Sequence, residues 1–110
     1  MKIWKSDLQG LLEEVEGPLY LFASSETRGG QMPVTTFVVS VAGFNQEGHV
    51  CELRLARPPV ITTLVRTREW IQEHEANLKM LGEVRARLTA LGRTVLDGKI
   101  GEEPVSGVLG

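Results

Sequence analysis

Hydrophobic positions repeat with two different periods along the chain, and these periods divide it into predicted helices and strands. The first apolar set recurs at steps of three and four, at Leu8, Leu11, Leu12 and Val15. That spacing is typical of one face of a helix. Ser6 and Gln9 stand at the spacing of a capping box, and Gly17-Pro18 is a helix stop. We therefore predict a short helix that begins at Ser6 and ends before Pro18.

The middle of the chain alternates with the period of a β-strand. Three runs rich in β-branched and aromatic residues cover residues 19–25, 34–42 and 49–57, with glycine-containing turns between them. The third run is the most regular, because Cys51, Leu53 and Leu55 point one way while Glu52 and Arg54 point the other. The pattern predicts a three-stranded antiparallel meander whose third strand has one face in water.

A helical spacing of apolar residues then continues from Val60 to Leu91. A continuous helix of that length would span about 45 Å. A domain of this size is only roughly 26–34 Å across. We therefore expect the helix either to break, near Thr62-Thr63 or Asn77, or to project from the domain and pair with another surface. Asp97-Gly98 within residues 95–100 predicts a short hairpin.

These elements predict an α+β fold with the order α-β-β-β-α, in which a short N-terminal helix and a long second helix pack on one face of the sheet. A chain of 110 residues has room for one domain. We place that domain at residues 1–101, followed by a flexible tail at residues 102–110, which is rich in glycine, proline and glutamate.

Composition and charge exclude several classes of protein. The formal charge of −2 indicates no particular partner. One cysteine, Cys51, excludes an internal disulfide and a multi-cysteine zinc site. No apolar run reaches the roughly 18 residues of a membrane span, and the first residues lack the apolar stretch of a signal peptide. We expect a cytoplasmic protein that does not insert into membranes.

The residues that could carry chemistry favour structural interpretations. His49 and Cys51 share a strand face, but a catalytic thiol also needs a group that orients its base, and the sequence offers none. A small buried thiol is the favoured interpretation. His74 lies on the apolar stripe of the long helix without partners at metal-ligand spacing, so we interpret it as a core or interface histidine. We predict no catalytic residues, no metal, no cofactor and no enzymatic activity.

One cluster of basic residues is a candidate contact for anions or nucleic acid. It consists of Arg54, Arg57, Arg66 and Arg68. Glu52 and Glu69 are close to these arginines in sequence and weaken the cluster. Trp70 is the one nearby aromatic residue that could stack on a base. The sequence therefore predicts no specific nucleic-acid complex and weak non-specific binding.

The order helix, three strands, helix resembles the double-stranded-RNA-binding domain over about residues 6–90. Pro33, Phe37, Val39 and Val41 resemble its second strand. The resemblance implies a sheet packed by two helices and a contact with duplex RNA. At the start of the last helix, however, the basic phosphate-binding run of that family is replaced by Pro59-Val60-Ile61-Thr62-Thr63.

Two functional hypotheses follow. The first is a non-enzymatic interaction module that self-associates as a homodimer, with the long helix at the interface because its apolar stripe is longer than a small sheet can cover. The alternative is a nucleic-acid-binding protein that uses the four arginines. An open, flat face around Arg54 would favour the alternative. The sequence identifies no small-molecule ligand.

Overall fold

The computed structural model describes residues 2–62 and 67–100. These residues form two helices and six strands. In chain order the elements are β1 (Lys2–Lys5), α1 (Leu8–Glu14), β2 (Leu19–Arg28), β3 (Val34–Phe44), β4 (Val50–Ala56), β5 (Val60–Ile61), α2 (Arg68–Ala90) and β6 (Val95–Asp97).

The sheet is mixed and is built around β3. Strands β2, β3 and β4 form the predicted antiparallel meander. Strand β1 adds to β4 and strand β6 adds to β2, both in parallel, which gives the order β1-β4-β3-β2-β6. Strand β5 pairs with the start of β3 at Val34 and Thr35. The predicted α+β class is confirmed, whereas the predicted three-stranded antiparallel sheet is wrong in detail.

The two parallel additions are short, which is why alternation along the chain did not reveal them. Strand β1 has four residues and β6 has three, fewer than a two-residue period needs to stand out. The hairpin predicted at residues 95–100 is wrong, since Val95 pairs with Leu19 of β2. Gly98, at φ +127°, ends β6, and its amide donates to the Leu21 carbonyl at 3.0 Å.

Helix α1 begins one residue later than the predicted capping box places it. The N-cap is Asp7, whose carboxylate accepts a hydrogen bond from the Gly10 amide at 2.7 Å. A carboxylate at this position is also favoured by the positive end of the helix dipole. The helix ends at Glu14, and Val15 already has an extended backbone.

Helix α2 is shorter than predicted because its expected first turns are a strand. Val60 and Ile61 form β5, and the helix begins at Arg68 after an N-cap by Thr67, whose hydroxyl accepts from the Trp70 amide at 3.1 Å. The 23 residues span about 35 Å, within the longest molecular dimension of 44 Å. The departure from the predicted helix therefore lies before Thr67. Helix α2 is continuous through Asn77, one of the two positions where a break was expected. The other position includes Thr63, which is outside the described residues.

Both helices contribute to one core on the same face of the sheet. Leu11 and Val15 from the α1 region and Leu88 from α2 are completely buried there. They meet the inward-facing strand residues Leu19, Leu21, Val39, Val41, Cys51 and Leu53. Burial of this set removes apolar surface from water and is the main force that holds the helices to the sheet.

The predicted domain boundary falls among residues 101–110, which are outside the described residues, and so does the predicted tail at 102–110. Neither α1 nor α2, the helices of the described ranges, is long and apolar enough to cross a membrane.

Candidate binding surfaces

The structure does not bring the predicted arginines together. Arg54 lies on the sheet face opposite the helices, where it forms an ion pair with Glu26 of β2. Arg57 follows β4 and turns toward α2, where its guanidinium donates two hydrogen bonds to Glu73, at 2.8 and 3.3 Å. These bonds raise the pKa of Arg57. Arg68 is exposed in the first turn of α2, and Arg66 lies outside the described residues.

The His49 and Cys51 pair is not a thiol–imidazole couple. The buried Cys51 thiol donates to the Glu14 carboxylate at 3.4 Å, while His49 lies 3.7 Å from Glu47. Burial raises the pKa of Cys51, and the hydrogen bond to Glu14 raises it further. Because the thiolate is the nucleophilic form, this environment makes Cys51 an unreactive core residue.

Glu14 connects the thiol to a lysine on the neighbouring strand. Its second oxygen accepts from the Lys5 ammonium, so the carboxylate bridges β1 and β4 through α1. The hydrogen bond from Lys5, with that from Cys51, lowers the pKa of Glu14, and the same contact raises the pKa of Lys5. The cluster joins three elements: β1, α1 and β4.

His74 belongs to an aromatic cluster between α2 and β3. Its ring centroid lies 5.4 Å from that of Phe37 and 5.3 Å from that of Trp70. Phe37 and Trp70 meet edge to face at 5.1 Å, a preferred geometry for aromatic pairs. Within residues 2–62 and 67–100 no group of three histidine, cysteine or carboxylate side chains could hold a metal ion.

The sheet face opposite the helices, which we call the uncovered face, displays side chains from all five strands of the main path. Strand register aligns one row across it: Leu96, Tyr20, Ala42, Glu52 and Trp4. Trp4 is 57% exposed at the β1 edge. Glu52, expected on a wet face, is only 7% exposed, because neighbouring side chains close over it and Lys2 lies 3.1 Å from its carboxylate.

A shallow trough of about 250 Å³ runs across this face. Ser40, on the central strand, forms part of its floor. Trp4 and Lys2 stand on the β1 side, and Phe22 and Lys99 stand on the β2 side. The Lys2 ammonium lies 4.9 Å from the Trp4 ring centroid, and the Lys99 ammonium lies 5.5 Å from that of Phe22. Both distances are within the range of cation–π attraction.

The sequence did not lead us to predict that the aromatic residues Trp4 and Phe22 line this trough. Trp70, the residue expected near the arginines, packs against Phe37 on the helix-covered face. Trp4 instead lies 6.0 Å from the Arg54 guanidinium. The four residues of β1 are too few for their alternation to identify a strand, and alternation does not indicate that β1 pairs with β4.

A second surface lies along the outer side of α2, and we call it the α2 stripe. Ile71 and Leu78 are 44% and 48% exposed and stand two turns apart on one side of the helix. Gly82 continues the same line one turn further on. A Cβ placed on Gly82 would meet nothing within 4 Å. The stripe therefore has room for a side chain at this point but presents only backbone.

Comparison with known proteins adds no further constraint, since no protein family, no curated protein and no solved structure matches the chain significantly. The element order also differs from that of the double-stranded-RNA-binding domain, because β1 precedes α1 and β6 follows α2.

Proposed function

We propose that this protein is a non-enzymatic interaction module that self-associates as a homodimer through the α2 stripe. The observation that carries the proposal is the exposure of Ile71 and Leu78 on a helix whose other large apolar residues pack toward the sheet. Leu81, Val84 and Leu88 pack against the sheet, so the enlarged sheet covers that side of α2. Two large apolar side chains remain in water at the spacing by which helices pack.

The charges of α2 favour an antiparallel pair. Residues 68–78 carry one basic and three acidic side chains, a sum of −2, while residues 79–90 carry three basic and one acidic, a sum of +2. A two-fold axis at Leu78, near the middle of the helix, places the acidic half of each copy against the basic half of the other. An interface of this kind is isologous and closes at two subunits.

Gly82 supports the same arrangement. A glycine inside a helix destabilises it by roughly 1 kcal/mol relative to alanine. The described neighbours do not require the absence of a side chain, since nothing lies within 4 Å of the added Cβ. A partner helix that approaches closely over Gly82 accounts for the residue.

Sedimentation equilibrium between about 5 and 200 µM, a range that brackets weak dimers, tests the proposal. We expect the mass of the native protein to rise toward twice the 12.1 kDa chain mass. Leu78→Glu places like charges opposite each other at the two-fold axis and should hold the mass near one chain. Met32→Glu is the matched control, because Met32 is also an exposed apolar residue but lies outside α2.

Two results would overturn the proposal. One is a single-chain mass for the native protein at every concentration. The other is association of Leu78→Glu that equals that of Met32→Glu, which would assign the interface to another surface. Circular dichroism of both variants shows whether the fold is retained.

A further inference from the structure

We propose that the outer edge of β2 binds an extended segment of a partner protein as an additional antiparallel strand. Strand β2 pairs with β3 from Tyr20 to Arg28, but on its other side β6 covers only residues 19–21. Among the described residues no strand pairs with that other side from Phe22 to Arg28. A free strand edge of this kind is a template for strand addition. The edge and the α2 stripe share no residue, so this binding does not depend on self-association.

The backbone groups of β2 point alternately toward β3 and toward the outer edge. The Leu21 carbonyl accepts a hydrogen bond from the Gly98 amide at 3.0 Å, next to β6, so the odd-numbered residues of β2 face away from β3. Ala23, Ser25 and Thr27 therefore each present one donor and one acceptor at the outer edge. An antiparallel strand satisfies such groups with perpendicular hydrogen bonds and is slightly more stable per residue than a parallel one.

The open part of β2 lacks the features by which proteins usually protect a strand edge, namely shortness, bulges, prolines and lysines. Its register with β3 continues one to one through Arg28, and residues 22–28 contain neither proline nor lysine. Residues 25–28 are also exposed. The opposite end of the sheet is protected, because β1 has only four residues and carries Lys2 and Lys5. The sheet therefore favours a further strand at β2 over one at β1.

The side chains of this edge indicate the chemistry of the partner. Glu26 is paired with Arg54, whereas Arg28 is exposed and forms no ion pair with the described residues. An acidic residue is therefore favoured opposite Arg28, and a β-branched residue is favoured opposite Phe22, since both kinds of cross-strand pair are stabilising. The expected ligand is a seven-residue extended segment, matching residues 22–28, with a carboxylate at its first position and Val or Ile at its last.

Amide hydrogen exchange followed by NMR locates the added strand residue by residue. The protein is the Leu78→Glu variant, and the probe is an acetylated, amidated peptide of sequence Glu-Thr-Val-Lys-Val-Thr-Val. In the free protein the amides of Ala23, Ser25 and Thr27 should exchange rapidly, while the even-numbered amides of β2, which face β3, should exchange slowly. When about 90% of the protein is bound, exchange of the three outward amides should slow about tenfold, because only the free fraction exchanges.

Backbone pairing can be separated from side-chain contact by N-methylation of the peptide. A methyl group on the amide of the fourth residue, which faces Ser25, should weaken binding about tenfold or more, since it removes a hydrogen bond and adds a steric clash. The same group on the third residue, whose amide faces away from β2, is the matched control and should leave affinity unchanged. These affinities follow from the anisotropy of a fluorescein-labelled peptide and require no change in the protein.

Variants of the protein test the same contacts from the other side. Ser25→Pro removes an outward donor but no bond to β3, and it should weaken binding relative to Ser25→Ala, which keeps the amide. Arg28→Glu should weaken binding of the peptide about fivefold and strengthen binding of a peptide with Lys at its first position. Arg68→Glu makes the same change of charge on α2 instead of β2 and should alter neither affinity. Circular dichroism shows whether each variant is folded.

Unchanged exchange of the outward amides at about 1 mM peptide, the weak end of specific affinities, would overturn the proposal. Slow exchange of these amides in the free protein would also overturn it, because another part of this chain or a second copy would then occupy the edge. Equal weakening by the two N-methyl groups would exclude strand pairing. Equal binding of both peptides by Arg28→Glu would contradict the assigned orientation and partner chemistry. A single-chain mass for the native protein together with the expected exchange pattern would reject self-association and leave strand addition intact.

Discussion

Gly43 of β3 lies directly beneath Val15, the residue that follows α1, with no space for a side chain between them. A Cβ on Gly43 would overlap the Val15 side chain and stand 3.2 Å from the Pro18 carbonyl oxygen. Val15 is completely buried. Gly43 is not among the glycines with positive φ, so its role is steric, and it lets the chain leaving α1 pass close to the central strand.

Gly43→Ala should therefore destabilise the fold by about 1–3 kcal/mol, the usual effect of forcing atoms into a packed core. Chemical denaturation gives the free energy of unfolding. Gly29→Ala is the matched control, since an added Cβ there meets nothing within 4 Å, and we expect a change within about 0.5 kcal/mol. Equal stability of Gly43→Ala and the native protein would show that Val15 can move aside.

The core and the meander could be predicted from the sequence because their signals are long. Strand β3 has 11 residues, enough for a two-residue period to be unambiguous. The edge strands could not be predicted, because β1 and β6 are too short to show a pattern of their own and are defined by their pairing with β4 and β2. Val60 and Ile61 show the same limit. Their spacing in the sequence fits a helix, but in the structure they pair with the backbone of β3 at Val34 and Thr35.

Asn77 is the one polar residue of α2 that is buried in the described structure. Its side-chain amide donates to the Val38 carbonyl at 3.2 Å, and its own carbonyl oxygen has no partner. Asn77→Asp would bury an unpaired carboxylate against a carbonyl, and we expect a loss of about 3 kcal/mol or more. Asn77→Leu, which keeps the number and branching of the side-chain heavy atoms and removes the polar groups, should lose less than about 1.5 kcal/mol. Thermal and chemical denaturation measure both, and equal losses would contradict this account of the site.

The pair of Lys5 and Glu14 predicts part of the acid sensitivity. The pKa of Glu14 is lowered in the folded protein, chiefly by the hydrogen bond from Lys5, so the unfolded state binds the proton more readily. The stabilisation is complete above the ordinary glutamate pKa of about 4.3 and is lost as pH falls through the lowered folded value.

Glu14→Gln should flatten the loss of unfolding free energy below about pH 4.3. Lys5→Met should flatten the same interval, because it removes the partner that lowers the pKa. Urea denaturation at a series of pH values tests both variants. If both retained the full native slope, acid sensitivity would belong to other carboxylates.

The candidate surfaces show which information the sequence lacks. Arg54 and Arg57 are three residues apart, and strand alternation places them on opposite faces, where each meets a carboxylate from a distant element: Glu26 or Glu73. Their proximity in sequence therefore predicted a shared basic cluster that Arg54 and Arg57 do not form. The association of Trp4 with Arg54 depends on a parallel pairing across more than 40 intervening residues, which no local pattern encodes.

Gly82→Ala has two expected effects, one on the stability of the helix and one on dimer association, and they can be measured separately. In a Leu78→Glu background, which we expect to be monomeric, Gly82→Ala should raise the free energy of unfolding by up to about 1 kcal/mol. In the native background the added methyl group lies in the dimer interface and should raise the dissociation constant of the dimer. Denaturation and sedimentation equilibrium give the two quantities. An unchanged dissociation constant would place Gly82 outside the interface.

Disulfide formation tests the antiparallel dimer most directly. With the two-fold axis at Leu78, the two copies of residue 78 are adjacent, whereas the two copies of residue 71 are separated by about 21 Å along the helices. A disulfide joins Cα atoms within about 7 Å. Native Cys51 is buried and serves as the background that should not cross-link.

Mild oxidation followed by non-reducing electrophoresis should therefore convert Leu78→Cys into a covalent dimer and leave Ile71→Cys and the native protein as single chains. Efficient cross-linking of Ile71→Cys would indicate a parallel pair, and failure of both variants to cross-link would contradict self-association through the α2 stripe.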